Sequence, residues 1–495
     1  MKRDLWLRSP VHVDFNLTNG CNLSCSHCHS SSGTKLKKEL SLKKILMIID
    51  ELHSLGVLSI AFAGGEPFIR RDIIDILSYA CSLSGWSVSV ITNGLFFDYS
   101  NMLEKLVSFA PDIKINISLD GSTHQNFSIL RRQANSPNRN SNLLFDKIVD
   151  GIRAVVKSGL QNSINFTLTR PTLSDILQTY QLGIEELGAG GMVAIKFFPG
   201  GYGQKHLDLL EIPYSIWNKE FVKLTKLKLL GKIPKMQISI PAPWEFYLPL
   251  IEAKIDLKQS EQVWGYRSPL RESEYNIIRN IGDVAGVAEL SIAANGIVYP
   301  SVLFTGLAKM ECGDLREQSL QYIWKNSPVL TELRSINIQN IAGSCVDCGI
   351  KGLCGGGSRS RAYSGLKSIT ASDYACPIVS RKVDNAQKTK IKCLPKPQNN
   401  IKISDSLLEE KNVSKVKILG DGIDAVRIFF EEMGCEIRFQ EYVIHCNKDL
   451  AHLLDIVLES NEESMLLKTI IEESKHNKLD TIIKRLNNLT KKIRT

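Results

Sequence analysis

Cys21-Asn22-Leu23-Ser24-Cys25-Ser26-His27-Cys28 places three cysteines in a C-x3-C-x2-C spacing on a short stretch. The residues before it, Val11-His12-Val13-Asp14-Phe15-Asn16-Leu17-Thr18, alternate apolar and polar as a half-buried strand does, and Gly20 and Gly33 bound a loop. Three thiolates so close together suit an iron–sulfur cluster, and they leave one iron of a four-iron cubane without a protein ligand. An open iron is a place for chemistry. A structural zinc ion is the alternative, but it takes four ligands, and only His27 or His29 stands near enough to complete the set.

The rest of the chain sets the setting for this loop. Its 495 residues are enough for two to four units, and 43% hydrophobic with 23% charged residues is ordinary for a soluble protein. The start, Met1-Lys2-Arg3-Asp4-Leu5-Trp6, is followed by no apolar run suited to a signal peptide, and no segment reads as a membrane span, so the expected location is cytoplasmic. Seven of the twelve cysteines fall into two groups, which points to metal ligation rather than disulfides. The net charge of +9 is spread along the chain and no basic segment is studded with aromatics, which argues against nucleic acid as a partner.

Helical and strand patterns alternate after the cysteine loop. Helices are expected at 41–56, 70–84, 98–109, 143–157 and 172–187, and strands at 57–63, 87–92, 113–119, 164–169 and 193–198. Six strand–helix repeats, counting the first strand, make an α/β fold with a partial (β/α)6 TIM-like barrel, and chemistry is then expected at the carboxyl ends of the strands. Those ends are unusual in composition. They carry Gly64-Gly65-Glu66-Pro67, Thr92-Asn93-Gly94, Ser118-Leu119-Asp120-Gly121, the alternating Asn165, Thr167 and Thr169, and Phe197-Phe198-Pro199-Gly200-Gly201. Any one of them is by default a turn former.

Taken together, in order after C-x3-C-x2-C, they strongly resemble the radical S-adenosylmethionine (SAM) superfamily. The resemblance implies a [4Fe-4S] cluster on Cys21, Cys25 and Cys28 with SAM chelated to its open iron. One electron then cleaves SAM to a 5′-deoxyadenosyl radical that abstracts hydrogen. It also implies a SAM site formed by Gly64, Gly65, Glu66 and Pro67 as a backbone cradle, with Asn93, Ser118 and Asp120 toward the ribose and methionine parts. Arg131 is implied for the SAM carboxylate, with Arg132 as an alternative, Asn165 and Thr167 for the ribose, and Phe198 and His27 near the adenine. A reductant such as flavodoxin or ferredoxin is the implied electron donor.

The second group is Cys345-Val346-Asp347-Cys348, then Cys354 and Cys376. Four thiolates ligate a four-iron cluster fully or hold zinc, and spacing alone does not separate these. The region resembles a SPASM-type auxiliary-cluster domain, opened by a hairpin of Leu290-Ser291-Ile292 and Ile297-Val298-Tyr299 around Asn295-Gly296. That pattern implies two clusters, yet Ser301 and Ser358 stand where it has cysteines and a further upstream cysteine is missing. One auxiliary [4Fe-4S] cluster is therefore expected, on Cys345, Cys348, Cys354 and Cys376, with Cys312 open as a ligand to an incomplete second one. The stretch Cys354-Gly355-Gly356-Gly357-Ser358-Arg359-Ser360-Arg361 resembles haem-pathway members of this group, where Arg359 and Arg361 are candidates to clamp carboxylates, tune the cluster or pack locally.

These readings divide the chain into a radical SAM core (1–205), a barrel closure and bridge (206–287), a SPASM-like domain (288–380), a linker (381–405) and a small C-terminal α+β module (406–495). In the last, a strand is expected at 416–419, a helix at 423–433, an alternating pair around Cys435 to Cys446, and helices at 449–458 and 464–489. The expected function is maturation of a ribosomally made peptide substrate by cross-linking, epimerisation or another oxidation. The alternatives are modification of a tetrapyrrole side chain and, from another class, a non-catalytic iron–sulfur scaffold. The strand ends argue against the scaffold, which needs no SAM pocket.

Overall fold

The computed structural model describes residues 7, 9–97, 101–134, 141–266, 268–271 and 281–380, with four strands between 416 and 446. Two compact units are present, the first holding both cysteine groups and the second the strands after residue 397. In the first unit the strands are β1 (His12–Thr18), β2 (Ser59–Gly64), β3 (Ser87–Thr92), β4 (Lys114–Ser118), β5 (Gln161–Leu168), β6 (Met192–Lys196), β7 (Met236–Ser239), β8 (Glu289–Ile292), β9 (Ile297–Tyr299) and β10 (Gly313–Asp314). They form one sheet in the order β10-β9-β8-β1-β2-β3-β4-β5-β6-β7.

The architecture is a partial, unclosed α/β barrel. Strands β1 to β6 follow the expected repeats; β7 adds to β6 in parallel, and β8 adds in parallel to the free side of β1. The hairpin β8–β9 pairs Ser291 with Tyr299 and Ile292 with Val298 across Gly296, whose φ of +90° suits a residue without Cβ. This hairpin is thus continuous with the barrel sheet.

Residue pattern accounts for the layers. On β1, Val13 and Phe15 are fully buried and pack toward the helices, while His12 and Asp14 alternate to the barrel interior and remain partly accessible there. The helix Leu42–Ser54 starts at Ser41, whose side chain accepts from Lys44 N, and buries Ile45, Ile48, Ile49 and Leu52 against the sheet. The helix expected over 172–187 is instead a 3-10 turn, five α-helical residues Ile176–Tyr180 and a π-helical stretch Gln181–Glu186. Gly183 brings that wider turn against β5, where a Cβ would lie 2.3 Å from Ile164 Cδ1. Beyond β6, helices Tyr214–Leu229, Trp244–Glu252 and Leu257–Trp264 pack through Trp217, Phe221, Phe246 and Trp264.

The second unit contains β11 (Val416–Ile418), β12 (Val426–Glu431), β13 (Gly434–Phe439) and β14 (Tyr442–Cys446) as a consecutive antiparallel sheet. Within the stretch expected as a helix at 423–433, the described residues Val426–Glu431 are a strand. Its residues Val426, Ile428, Phe429 and Phe430 are β-branched or aromatic, and β12 pairs with β13 over its full length. The helices expected after 449 and the linker lie outside the described residues.

Candidate active site

The cysteine loop is tied down on both sides by backbone. Cys21 N–H donates to Gly33 O at 2.8 Å, Ser24 N–H to Arg132 O at 2.8 Å, Ser26 N–H to Leu130 O at 3.0 Å, and Tyr202 N–H to Cys28 O at 2.8 Å. Gly201, at φ +51°, packs on this loop where a Cβ would meet His29 O at 2.4 Å. All three cysteines line one cavity of about 620 Å³ at the carboxyl ends of the strands. None is in a disulfide. Burial pushes the Cys21 thiol up to about 11 and Cys25 up to about 12, the latter against the pull of the Arg131 guanidinium. Thiols in such a place ionise when a cation joins them, and three thiolates are the donor set of an iron–sulfur cluster.

Of the strand-end residues, Gly64, Gly65, Asn93, Ser118, Arg131, Asn165, Thr167, Phe198 and His27 line this cavity. Glu66, Pro67 and Asp120 are buried behind its wall. The two glycines are required by close packing: at φ +137° a Cβ on Gly64 would sit 2.4 Å from Thr18 O, and one on Gly65 would sit 2.0 Å from Gly20 O. Glu66, fully buried, accepts from Thr92 Oγ1 (2.8 Å), Asn93 N (2.8 Å) and Phe68 N (3.1 Å), fastening the end of β2 to the end of β3. Burial nonetheless pushes its carboxyl up to about 7. Asn93 continues the strap by donating from Nδ2 to Asn22 Oδ1 at 2.8 Å, inside the cysteine loop.

Asp120 plays the matching part at β4. It accepts from Arg131 Nε at 2.5 Å and Thr167 N at 2.6 Å, and His27 Nε2 lies 3.4 Å away. Burial by itself raises the Asp120 carboxyl, but Arg131, His27 and Thr167 outweigh it and hold it below the usual range. Arg131 is thereby aimed at the cavity, whereas Arg132 is exposed. Burial pushes His27 down to about 4, so its ring is neutral, and its Nδ1 is a buried nitrogen with no hydrogen-bond partner. An orphaned ring nitrogen beside a large cavity and three adjacent thiols fit a bound cluster with a polar ligand over it.

Sequence reasoning missed part of the cavity. His12, Asp14, Lys196 and Glu289 also line it. Glu289 stands directly beside His12 in the β1–β8 register, and burial together with Asp14 and Asp283 pushes its carboxyl up to about 8. Lys196, at the end of β6, reaches Glu245 Oε1 at 2.5 Å, and among the described lining residues it and Arg131 are the lysine and arginine side chains. The signal available in the sequence was the alternation of β1, which puts His12 and Asp14 at inward positions; Lys196 pairs with the buried Leu168 on the other face of the sheet and reaches the cavity rim only at the end of β6.

The second cysteine group converges. Cys345, Cys348, Cys354 and Cys376 line a small cavity with Trp244, Ile350, Lys351 and Val379. Burial pushes Cys376 up to about 12 and Cys354 well above its ordinary value, with the neighbouring cysteines adding to both. Four thiols around an apolar pocket, Cys354 and Cys376 buried and Cys345 and Cys348 half-buried, fit a closed cluster. Ser301 and Ser358 are buried helix caps: Ser301 Oγ accepts from Leu303 N at 3.3 Å and Ser358 Oγ from Arg361 N at 3.3 Å. Cys312 is buried elsewhere, near Ser327 and Arg334.

The arginine pair is consumed by the protein. Arg359 donates to Ile369 O at 2.9 Å, Ala371 O at 2.7 Å and Gly356 O, and Arg361 to Glu245 Oε1 at 3.0 Å and Asp373 Oδ2 at 2.8 Å. Both are at most 2% exposed, so neither is free to clamp a substrate carboxylate.

Residues 15–183 match the radical SAM superfamily and residues 285–349 match SPASM, an iron–sulfur cluster-binding domain. The chain is 28% identical over 376 residues to the AdoMet-dependent heme synthase of Methanosarcina barkeri, covering 74% of this chain and 96% of that protein. It is 24% identical over 384 residues to the Fe-coproporphyrin III synthase of the same organism, covering 76% and 90%. Among solved structures, Streptococcus suis SuiB bound to precursor peptide SuiA aligns with TM-score 0.58 at 17% identity, over 75% of this chain and 77% of that one. The structure of anSMEcpe with bound AdoMet aligns with TM-score 0.54 at 17% identity, over 74% and 94%. The chain is a radical SAM enzyme with a SPASM domain, and its cofactors are SAM, the [4Fe-4S] cluster that binds it and auxiliary iron–sulfur chemistry in the SPASM domain. No helix among the described residues is long and apolar enough to cross a membrane.

Proposed function

We propose that this enzyme removes hydrogen from a side chain of a carboxylate-bearing tetrapyrrole. The observation that carries this reading is the extent of the match to the heme synthase, which spans 96% of that protein and runs at similar extent into the Fe-coproporphyrin III synthase. The cavity agrees in size with small-molecule sites and offers Lys196 on its wall as a cation. Cys21, Cys25 and Cys28 would hold the catalytic cluster, and Cys345, Cys348, Cys354 and Cys376 one auxiliary cluster. When bound, the first cluster and SAM supply hydrogen-atom abstraction. The chain's own residues do the placing: the Glu66 and Asp120 straps fix the strand ends, Arg131 and Gly64–Gly65 face SAM, and Thr167 and Asn165 flank it. A flavodoxin or ferredoxin is the fitting electron donor.

The test is anaerobic incubation of the reconstituted enzyme with SAM, reductant and iron porphyrins bearing propionates, Fe-coproporphyrin III included, followed by mass spectrometry. A mass change in a porphyrin that depends on Cys21, Cys25 and Cys28 supports the reading. SAM cleavage with every porphyrin unchanged refutes it.

Peptide maturation is the second reading, favoured by the sheet of β11 to β14. It lies outside both matched domains, and about a quarter of this chain exceeds the heme synthase match. Deleting the residues after Asp405 and co-expressing the enzyme with short peptides encoded beside its gene tests it. Loss of two hydrogens from a peptide, abolished by the deletion, would favour this reading over the first.

A further inference from the structure

The barrel cavity and the four-cysteine pocket share a wall. Pro243 and Gly282 line the cavity, Trp244 lines the pocket, and Gly282 N–H donates to Gly355 O at 3.0 Å. A Cβ on Gly282 would lie 2.2 Å from Cys354 O, so the cavity surface rests directly on the backbone of a cluster-ligand candidate. A row of ionic groups crosses this wall. Lys196 Nζ lies 2.5 Å from Glu245 Oε1, the same oxygen accepts from Arg361 Nη1 at 3.0 Å, and Arg361 Nη2 donates to Asp373 Oδ2 at 2.8 Å. Asp373 Oδ2 also accepts from Trp244 Nε1 and Ser358 N, each at 3.0 Å. Glu245 Oε2 takes Ala242 N at 3.0 Å, and Trp217 lies beneath the Lys196 ammonium at 5.3 Å. The four side chains are at most 7% exposed. Glu211 is the further carboxylate beside them, its own carboxyl raised by burial ahead of the pull of Lys196 and Arg361.

Burying four charges costs several kcal/mol per ion before pairing recovers it, and an apolar wall would seal the cavity as well. What the ionic row has that an apolar wall lacks is charge facing each site: Lys196 lines the cavity, and Asp373, whose carbonyl accepts from Cys376 N at 3.0 Å, acts electrostatically on the Cys354 and Cys376 thiols. We propose that Lys196–Glu245–Arg361–Asp373 couples occupancy of the barrel cavity to the electronic environment of the four-cysteine pocket, with Lys196 as the end that meets an anionic substrate group. Cluster potentials respond to nearby charge and to hydrogen bonds around the ligands, and charges in a dry wall are little screened. An anion that draws Lys196 from Glu245 leaves the Glu245 charge less compensated on the pocket side. The cluster then becomes harder to reduce. The occupancy half rests on the proposed anionic substrate; the wiring half does not.

The test uses the full chain with Cys21, Cys25 and Cys28 replaced by Ala, so that only the four-cysteine cluster is read by EPR-monitored redox titration. Lys196→Met removes a positive charge and should make the potential more negative. Glu245→Gln removes a negative charge and should make it less negative, while Lys196→Arg should stay with the parent. A packing disturbance has no reason to give opposite signs. Shifts of the same sign, or none, overturn the wiring. Where Lys196→Met loads no iron, Glu245→Gln and Lys196→Arg decide it alone. In the enzyme with all cysteines, Fe-coproporphyrin III titrated by absorbance should bind about tenfold or more weakly to Lys196→Met than to Lys196→Arg. Equal binding overturns the occupancy half. Absence of binding to every form, parent included, removes the tetrapyrrole reading, and the opposite potential shifts still decide the wiring.

Discussion

Gly65→Ala adds one methyl group at the joint between the first cysteine loop and β2. Its Cβ would lie 2.0 Å from Gly20 O, 2.5 Å from Gly20 C and 2.9 Å from Asn19 O, all backbone atoms that no rotamer change can move aside. To make room, the chain must give up the bonds that close this joint, Gly65 N–H to Thr18 O at 2.7 Å and Glu66 N–H to Gly20 O at 2.8 Å. Overpacking costs roughly 1–3 kcal/mol and each lost bond about 1 kcal/mol, so the sum is about 3–5 kcal/mol. Because Gly20 is next to Cys21, that strain falls on the cluster loop. Gly159→Ala is the control: it has φ +79° and nothing within 4 Å of the added Cβ, so it costs about 1–2 kcal/mol of backbone strain with no effect on either cysteine group. Both variants are expressed anaerobically, and iron, sulfide, EPR spectra, SAM cleavage and thermal midpoint are compared with the parent. Gly65→Ala should lose the SAM-binding cluster and SAM cleavage while keeping the four-cysteine cluster. A Gly65→Ala protein that holds both clusters and melts with the parent would refute the reasoning.

Asp120→Asn leaves Arg131 buried without its partner and should cost about 3–5 kcal/mol. Since Asp120's carboxyl is held below the usual range, the pair stabilises the wild type above the ordinary carboxylate pKa and that part is lost as pH falls through the lowered value. The variant's acid-unfolding curve should therefore be flatter, and an unchanged acid limb would count against the pairing. Arg359→Lys loses the fork that holds three carbonyls and should lower stability by roughly 2–3 kcal/mol, while porphyrin titrations stay at the parent's affinity. Weakened porphyrin binding at unchanged stability would return Arg359 to the substrate. Iron analysis of the parent should give two four-iron clusters, and Ser301→Cys with Ser358→Cys should add none; a third cluster in either protein would defeat the assignment of both serines as caps.

The barrel was legible because its signals are local and repeated. Each helix keeps an apolar face, as Ile45, Ile49 and Leu52 do, and each strand end carries small polar residues within a few positions of a Gly. Glu66 and Asp120 were marked by position as ligand contacts, yet their oxygens are spent on Thr92, Asn93, Thr167 and Arg131. A motif shows that a residue matters without showing which way it faces. Lys196, Glu245 and Asp373 carried no such mark, because they lie 49 and 128 positions apart and meet only across the wall. The strand β12 was read as a helix because Ile423 to Met433 also offers apolar residues at helical spacing; pairing with β13 decided between two periods that eleven residues do not separate.

Ser301 and Ser358, which stand where the resemblance implies cysteines, shape the cavity side of the fold. Ser301 lines the barrel cavity and caps a 3-10 turn, and Ser358 is fully buried at the start of the helix that carries Arg359 and Arg361. A serine hydroxyl accepts a backbone N–H and packs in little space, whereas a cluster at these positions would need the volume now filled by the capped turns. With those positions closed, Gly282 and Pro243 separate the substrate space from Cys354 by a single residue layer, and the ionic row crosses that same layer. With the single auxiliary cluster proposed on Cys345, Cys348, Cys354 and Cys376, that cluster is the site that feels the cavity. Arg361 is the residue in which the cap and the row meet: its N–H is held by the capping Ser358, and its guanidinium joins Glu245 to Asp373. Replacing Ser358 by Ala should loosen that helix start by about 1 kcal/mol and, through Arg361, alter the cluster potential without touching a cysteine. Potentiometry on that variant separates a cap that only stabilises from one that also holds the row in place: an unchanged potential means the row does not depend on the cap.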